Sequence, residues 1–94
     1  MEAILIKSRY ESVKVNNDRV SGEFPTNEYE FKINNIEYKV KIVEDQFGVT
    51  HFFWKDDSWQ NRGWSEEVQQ FFDYLEDNPG CMDDVEEGEK FNID

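Results

Sequence analysis

Between Glu28 and Ile42 apolar and polar residues alternate with hardly a break. Tyr29, Phe31 and Ile33 alternate with Glu28, Glu30 and Lys32, and Ile36, Tyr38, Val40 and Ile42 alternate with Glu37, Lys39 and Lys41. A period of two sends successive side chains to opposite faces of a strand, so this segment predicts two strands with one dry and one wet face. Asn34-Asn35 sits between them, and asparagine tolerates the positive φ of a tight hairpin turn. The wet face mixes Glu and Lys, which suit cross-strand pairing.

Other strands group around this hairpin. Ala3-Ile4-Leu5-Ile6-Lys7 is a short apolar run of the buried-strand type, and Tyr10 to Val15 alternates again, with Val13 and Val15 on one face. Asn16-Asn17-Asp18 reads as a turn, Arg19-Val20-Ser21 as a short return arm, and Gly22 to Asn27, with Pro25, as a loop. A turn at Asp45-Gln46-Phe47-Gly48 leads to a last strand, Val49 to Trp54, and Asp56 to Gly63 reads as a polar loop.

A helix is expected from Ser65. Serine is a good N-cap, and Glu66 and Glu67 fall in the first turn, where the helix dipole favours carboxylates. Val68, Phe71, Phe72 and Leu75 recur at helical spacing as one apolar stripe, and Asn78-Pro79-Gly80 stops the helix. The acid-rich remainder, 81–94, is expected to form a short acidic turn or helix, or to stay partly unstructured. The fold class is therefore α+β: an antiparallel sheet of four or five strands packed against one main helix, with an acidic C-terminal segment. Val13, Ile33, Val40, Phe52, Phe71, Phe72 and Leu75 are the expected core.

With 94 residues the chain is read as a single domain, 1–94. It carries 22 acidic and 10 basic residues, a net charge of -12. Residues 1–55 hold 9 acids and 8 bases, and residues 56–94 hold 13 acids and 2 bases, so a near-neutral β scaffold precedes an acidic helix and tail. Such a charge repels nucleic acid and anionic membrane surfaces. No apolar stretch is long enough to span a bilayer, no signal peptide is evident, and a single Cys81 forms no internal disulfide. Acidic disordered chains are poor in aromatics, whereas this one has 3 Trp, 4 Tyr and 8 Phe. The expectation is a folded, soluble, cytoplasmic domain with a strongly negative surface.

Little in the chain points to catalysis. It has one His and one Cys, no glycine-rich phosphate loop, no nucleophile elbow and no HExxH. His51 lies among strand aromatics, and carboxylates near Cys81 would raise its thiol pKa. Neither an enzymatic activity nor a cofactor is expected. Asp83 to Asp94 has the outline of a calcium loop, with Asp83 first, Gly88 sixth and Asp94 twelfth, but Val85 stands at the third position, where an oxygen ligand is needed. Trp54, Trp59 and Trp64 recur every five residues. At least one of them is expected to complete the core between sheet and helix; core packing alone is the first reading, and an exposed Trp at a dimer or partner interface is the alternative.

The acidic second half carries the main functional signal. A compact domain of this length spans about 30 Å, a stretch over which B-DNA carries roughly 18 phosphate charges. Carboxylates three or four residues apart on a helix lie about 5–6 Å apart at Cβ, and Arg grips carboxylate and phosphate with the same planar fork. A small, very acidic chain with mixed sheet and helix resembles the DNA-mimic inhibitors of bacteriophages, and most of all the Arn-type anti-restriction proteins of T-even phages. The resemblance covers size, charge and class along the whole chain and rests on no shared motif. It implies a negatively charged dimer that occupies the DNA-binding cleft of a host restriction enzyme of the McrBC type, or of another basic nucleic-acid-binding protein, in the host cytoplasm. The partner-binding residues are chosen from the charge pattern: Asp73, Glu76, Asp77, Asp83, Asp84, Glu86, Glu87 and Glu89, then Glu66 and Glu67. The alternatives are an immunity or antitoxin protein capping one toxic enzyme, and a calcium-binding acidic domain. An edge strand or an exposed Trp would support a homodimer.

Overall fold

The computed structural model describes residues 1–16, 21–45 and 47–93. Six strands form one sheet: β1 (Glu2–Asn16), β2 (Ser21–Ile33), β3 (Ile36–Asp45), β4 (Gly48–Lys55), β5 (Ser58–Gln60) and β6 (Lys90–Asn92). Their order is β5-β4-β3-β2-β1-β6, with every neighbouring pair antiparallel. The first five strands make a meander. The chain must then return from the β5 edge to the β1 edge, and the helix α1 (Glu66–Asp77) makes that crossing.

The β2–β3 hairpin turns at Asn34-Asn35, both with positive φ (51° and 65°), as the alternation requires. Helix α1 starts as expected: the Ser65 side chain accepts the Val68 amide at 3.4 Å, and the helix stops before Asn78. The Phe71 ring stacks on Phe31 of β2, with centroids 4.2 Å apart, and meets Tyr29 and Phe91 edge-on. Phe72 packs against His51 of β4, and Trp64 closes that end against Phe53 and Phe72. The core therefore lies on one side of the sheet only.

Several expectations need correction. Ala3–Lys7 and Tyr10–Val15 are one strand, not two. A bulge between Leu5 and Lys7 shifts the phase of the alternation, so Ala3 and Leu5 point into the core while Lys7 and Arg9 point out on the same odd positions. Gly22–Asn27 is strand, not loop. Pro25 is tolerated there because β3 pairing begins only at Thr26, which leaves β2 a neighbour on one side. The supposed loop after β4 contains β5, reached through Asp56 and Asp57 at positive φ (54° and 61°). The acidic tail contains a short 3-10 turn (Cys81–Asp84) and β6, so six strands replace four or five. Backbone bonds stitch that tail to β1: Leu5 N–H donates to Glu89 O at 2.9 Å, and Gly88 N–H donates to Leu5 O at 2.6 Å.

Of the expected core, Ile33, Val40, Phe71 and Phe72 are buried and Leu75 is half-buried against them. Phe52 is on the open face instead, and its neighbour Phe53 takes the core position paired with Val40. In a run of His51-Phe52-Phe53-Trp54 both phases are aromatic, so the alternation alone does not choose. The Val13 side chain, Asn17-Asp18, the Arg19-Val20 part of the return arm, Gln46 and Asp94 lie outside the described residues. The molecule measures 45 × 29 × 21 Å, longer than the roughly 30 Å of a sphere. The ends of β1 and β2 run on beyond the other strands and pair only with each other.

Phe71→Ala should lower the unfolding free energy by about 3–5 kcal/mol, and Phe52→Ala by less than half as much. Urea denaturation of both variants checks this. Equal losses would mean that the open face is as tightly packed as the core.

Candidate functional site

From Ser65 to Glu89 the chain contains ten carboxylates and no Lys, Arg or His. This segment forms the layer that covers the sheet, so the excess charge of the sequence becomes the charge of one face. The apolar stripe of α1 is turned to the sheet, which leaves its acidic positions outward. Glu66, Asp73, Glu76 and Asp77 are exposed, as are Asp83, Asp84, Glu86, Glu87 and Glu89 in the segment that follows, while Glu67 is half-buried.

The structure brings most of the expected residues together. Asp73, Glu76 and Asp77 lie on adjacent turns of the helix. The chain then folds back through hydrogen bonds from Asn78 N to Tyr74 O, Cys81 N to Asn78 O and Asp83 N to Gly80 O, which keep Asp83 and Asp84 next to the helix end. Glu66 and Glu67 stand apart at the other end of α1, about 16 Å away at 1.5 Å per residue. Glu87 and Glu89 are partly engaged: Glu87 Oε1 accepts the Ser8 amide and Glu89 Oε1 accepts the Glu86 amide.

Asp73 is held by a chain that the sequence pattern did not suggest. Trp64 Nε1 donates to Gln69 Oε1 at 2.6 Å, and Gln69 Nε2 donates to Asp73 Oδ1 at 2.9 Å. The i, i+4 spacing of Gln69 and Asp73 was the available signal. A groove of about 310 Å³ runs beside Asp73 and Asp77, lined also by Gln70, Tyr74, Asn78 and Ile93. Gln70 Oε1 is buried there without a hydrogen-bond partner among the described residues.

The electrostatics of this layer are those of an open acceptor surface. Among the described residues the ion pairs are Arg9–Glu11, Lys14–Glu23 and Lys90–Glu2, and none involves the ten carboxylates. The last turn of α1 holds no base, although Glu76 and Asp77 meet the negative end of the helix dipole there. Burial is the main influence pushing the Cys81 thiol above its ordinary value, opposed by hydrogen bonds from the Tyr74 hydroxyl and the backbone and reinforced by Asp83. Tyr29 is also raised, by burial first and then by Asp83 and Cys81. Among the described residues no three His, Cys, Asp or Glu side chains converge to hold a metal ion. Asp94, the twelfth position of the calcium outline, lies outside them. No helix is long and apolar enough to cross a membrane.

The three tryptophans divide between the two sides. Trp64 packs in the core, whereas Trp54 is exposed on the open face and stacks edge-on against Trp59. No family model, no curated protein and no solved structure matches this chain.

Two outcomes follow from these electrostatics. Asp77→Asn should stabilise the free protein by about 0.3–1 kcal/mol, because it removes a carboxylate from the wrong end of the dipole; a rise in Tm checks it. Cys81 should alkylate more slowly at pH 8 in the folded protein than in urea, with the two rates converging as the pH rises. Faster labelling of the folded state would contradict the raised thiol pKa.

Proposed function

We propose that this protein is a binding inhibitor that imitates DNA and occupies the DNA-binding cleft of a basic nucleic-acid-handling protein, with no chemistry of its own. A host restriction enzyme of the McrBC type is the target class its resemblance suggests. The observation that carries this reading is the covering layer itself: ten carboxylates, no cation, and no ion pair to any of them among the described residues. Self-repulsion at that density opposes folding, and the carboxylates at the end of α1 oppose the helix dipole. Stability alone does not select such a surface, whereas a cationic partner does.

The groove beside α1 supports the same reading. Asp73 and Asp77 offer acceptors where an Arg or Lys side chain would supply donors. A protein that caps one enzyme by a focused hot spot needs an aromatic anchor within its acidic surface. Among the described residues the exposed large apolar side chains are Ile6, Tyr10, Ile36, Phe47, Val49 and Trp54, all outside the acidic layer. Spread charge without an anchor favours imitation of a polyanion over capping.

The test is capture from nuclease-treated bacterial lysate on the immobilised protein, with elution by salt and by duplex DNA. A nucleic-acid enzyme released by either is expected, since association of this kind weakens steeply with ionic strength. A partner that withstands salt and ignores DNA would support capping and overturn mimicry. Reversing Asp73, Glu76 and Asp77 together to Lys should abolish capture and leave the far-UV spectrum intact. Undiminished capture would remove this face from the interface.

A further inference from the structure

The other side of the sheet is uncovered, and its charges follow a pattern that the acidic layer does not explain. Cross-strand pairing sets these outward side chains in rows. One row runs Arg9, Glu28, Lys41, Phe52 across β1, β2, β3 and β4. The next runs Lys7, Glu30, Lys39, and Lys39 reaches the Trp54 ring at 4.9 Å. A third holds Lys32 of β2 beside Glu37 of β3. Across the line between β2 and β3 every charge therefore faces its opposite: Glu28 and Lys41, Glu30 and Lys39, Lys32 and Glu37. One step further out the same line relates a cation on β1 to a ring on β4.

These neighbours do not satisfy one another within the chain. None of the six charged groups flanking that line forms an ion pair among the described residues. Lys39 and Lys41 turn away from β2 and sit over the rings of Trp54, Trp59 and Phe52, 4.5–5.4 Å from the ring centres. Glu28 and Glu30 make no ion pair among the described residues, although Lys7, Arg9 and Lys39 line the same small cavity.

We infer that this open face is a homodimer interface, with two copies stacked sheet on sheet about a two-fold axis that runs along the line between β2 and β3. Such an axis lays β2 of one copy over β3 of the other. Glu28 then meets the second copy's Lys41, Glu30 its Lys39 and Lys32 its Glu37, while Lys7 and Arg9 lie over its Trp54 and Phe52. The pattern is self-complementary under that operation, as an isologous interface requires. Sheets stacked face to face lie about 10 Å apart with their mean strand directions within about 30° of each other, a range that includes the aligned arrangement this axis produces. The molecule is 45 Å by 29 Å in its longer dimensions, room for the ~800 Å² per partner of a standard interface. The arrangement also points both acidic layers outward, separated by two sheets and so by well over the ~8 Å Debye length of physiological salt. This pairing stands independently of the proposed target.

Sedimentation equilibrium of the full chain at roughly 100 μM, enough to populate an interface with a micromolar Kd, should show a dimer. Glu30→Lys alone and Lys39→Glu alone should each weaken self-association at least about ten-fold, since each sets like charges together twice per dimer. Mixing the two variants should restore assembly as a heterodimer, because both contacts across the interface are then of opposite sign. Circular dichroism controls for the fold of each variant. A monomeric wild-type chain, self-association indifferent to either reversal, or a mixture no stronger than its components would each overturn the inference. The mixture matters because a pairing of residues 30 and 39 confined to one chain is not rescued by a second chain.

Discussion

Among the described residues one helix of twelve residues, with the short 3-10 turn that follows it, covers a six-stranded sheet. It can shield only one face, and the contact that fixes it there is Phe71 stacked on Phe31. Phe31, Phe71, Leu5, Ile33 and Val40 are almost wholly removed from water, and each buried side chain of this size contributes roughly 1.5–3 kcal/mol. Once Phe71 is seated, the polar positions of α1 can only face outward. The return path to β6 is set as well, because Phe91 completes the same cluster. The two-sidedness of the molecule follows from that one packing decision.

The division of charge follows the division of layers. The strands carry nearly balanced Lys and Glu, which suits an uncovered sheet: a wet face of alternating sign resists edge and face aggregation with copies in the wrong register. The covering layer carries the excess acid, at a place where the helix dipole and mutual repulsion both work against it. A local conflict between stability and composition is the kind of departure that accompanies function. Two different neighbours are proposed for the two faces: a foreign cationic cleft for one, and a second copy of the chain for the other.

Much of this was legible in the sequence. The alternation on either side of Asn34-Asn35 gave the central hairpin, and Ser65 with the Val68, Phe71, Phe72, Leu75 stripe gave the helix. What escaped had local causes. The bulge at Ile6 inverts the phase of β1, so a single strand imitates two. β5 and β6 are three residues each, too short to show alternation, and only the bonds from Leu5 to the 88–89 segment reveal that the tail belongs to the sheet. Phe52 and Phe53 are interchangeable by hydrophobicity, and the register against Val40 decides between them. The acidic residues were visible as composition, but their gathering beside the helix end, and the Trp64–Gln69–Asp73 chain that holds one of them, depend on the fold. The antisymmetry of the open face needs strand register and could not be read from spacing.

In the function proposed for this protein, the helix layer and not the sheet face meets the foreign partner. Carboxylate footprinting tests it directly: amidation by carbodiimide and glycine ethyl ester, read by mass spectrometry, for the protein free and bound to the DNA-displaceable protein it captures. Asp73, Glu76, Asp77, Asp83 and Asp84 should be strongly protected on complex formation, with Glu28, Glu30 and Glu37 labelled to the same extent in both states. Protection of Glu28, Glu30 and Glu37 with the helix layer still labelled would contradict it.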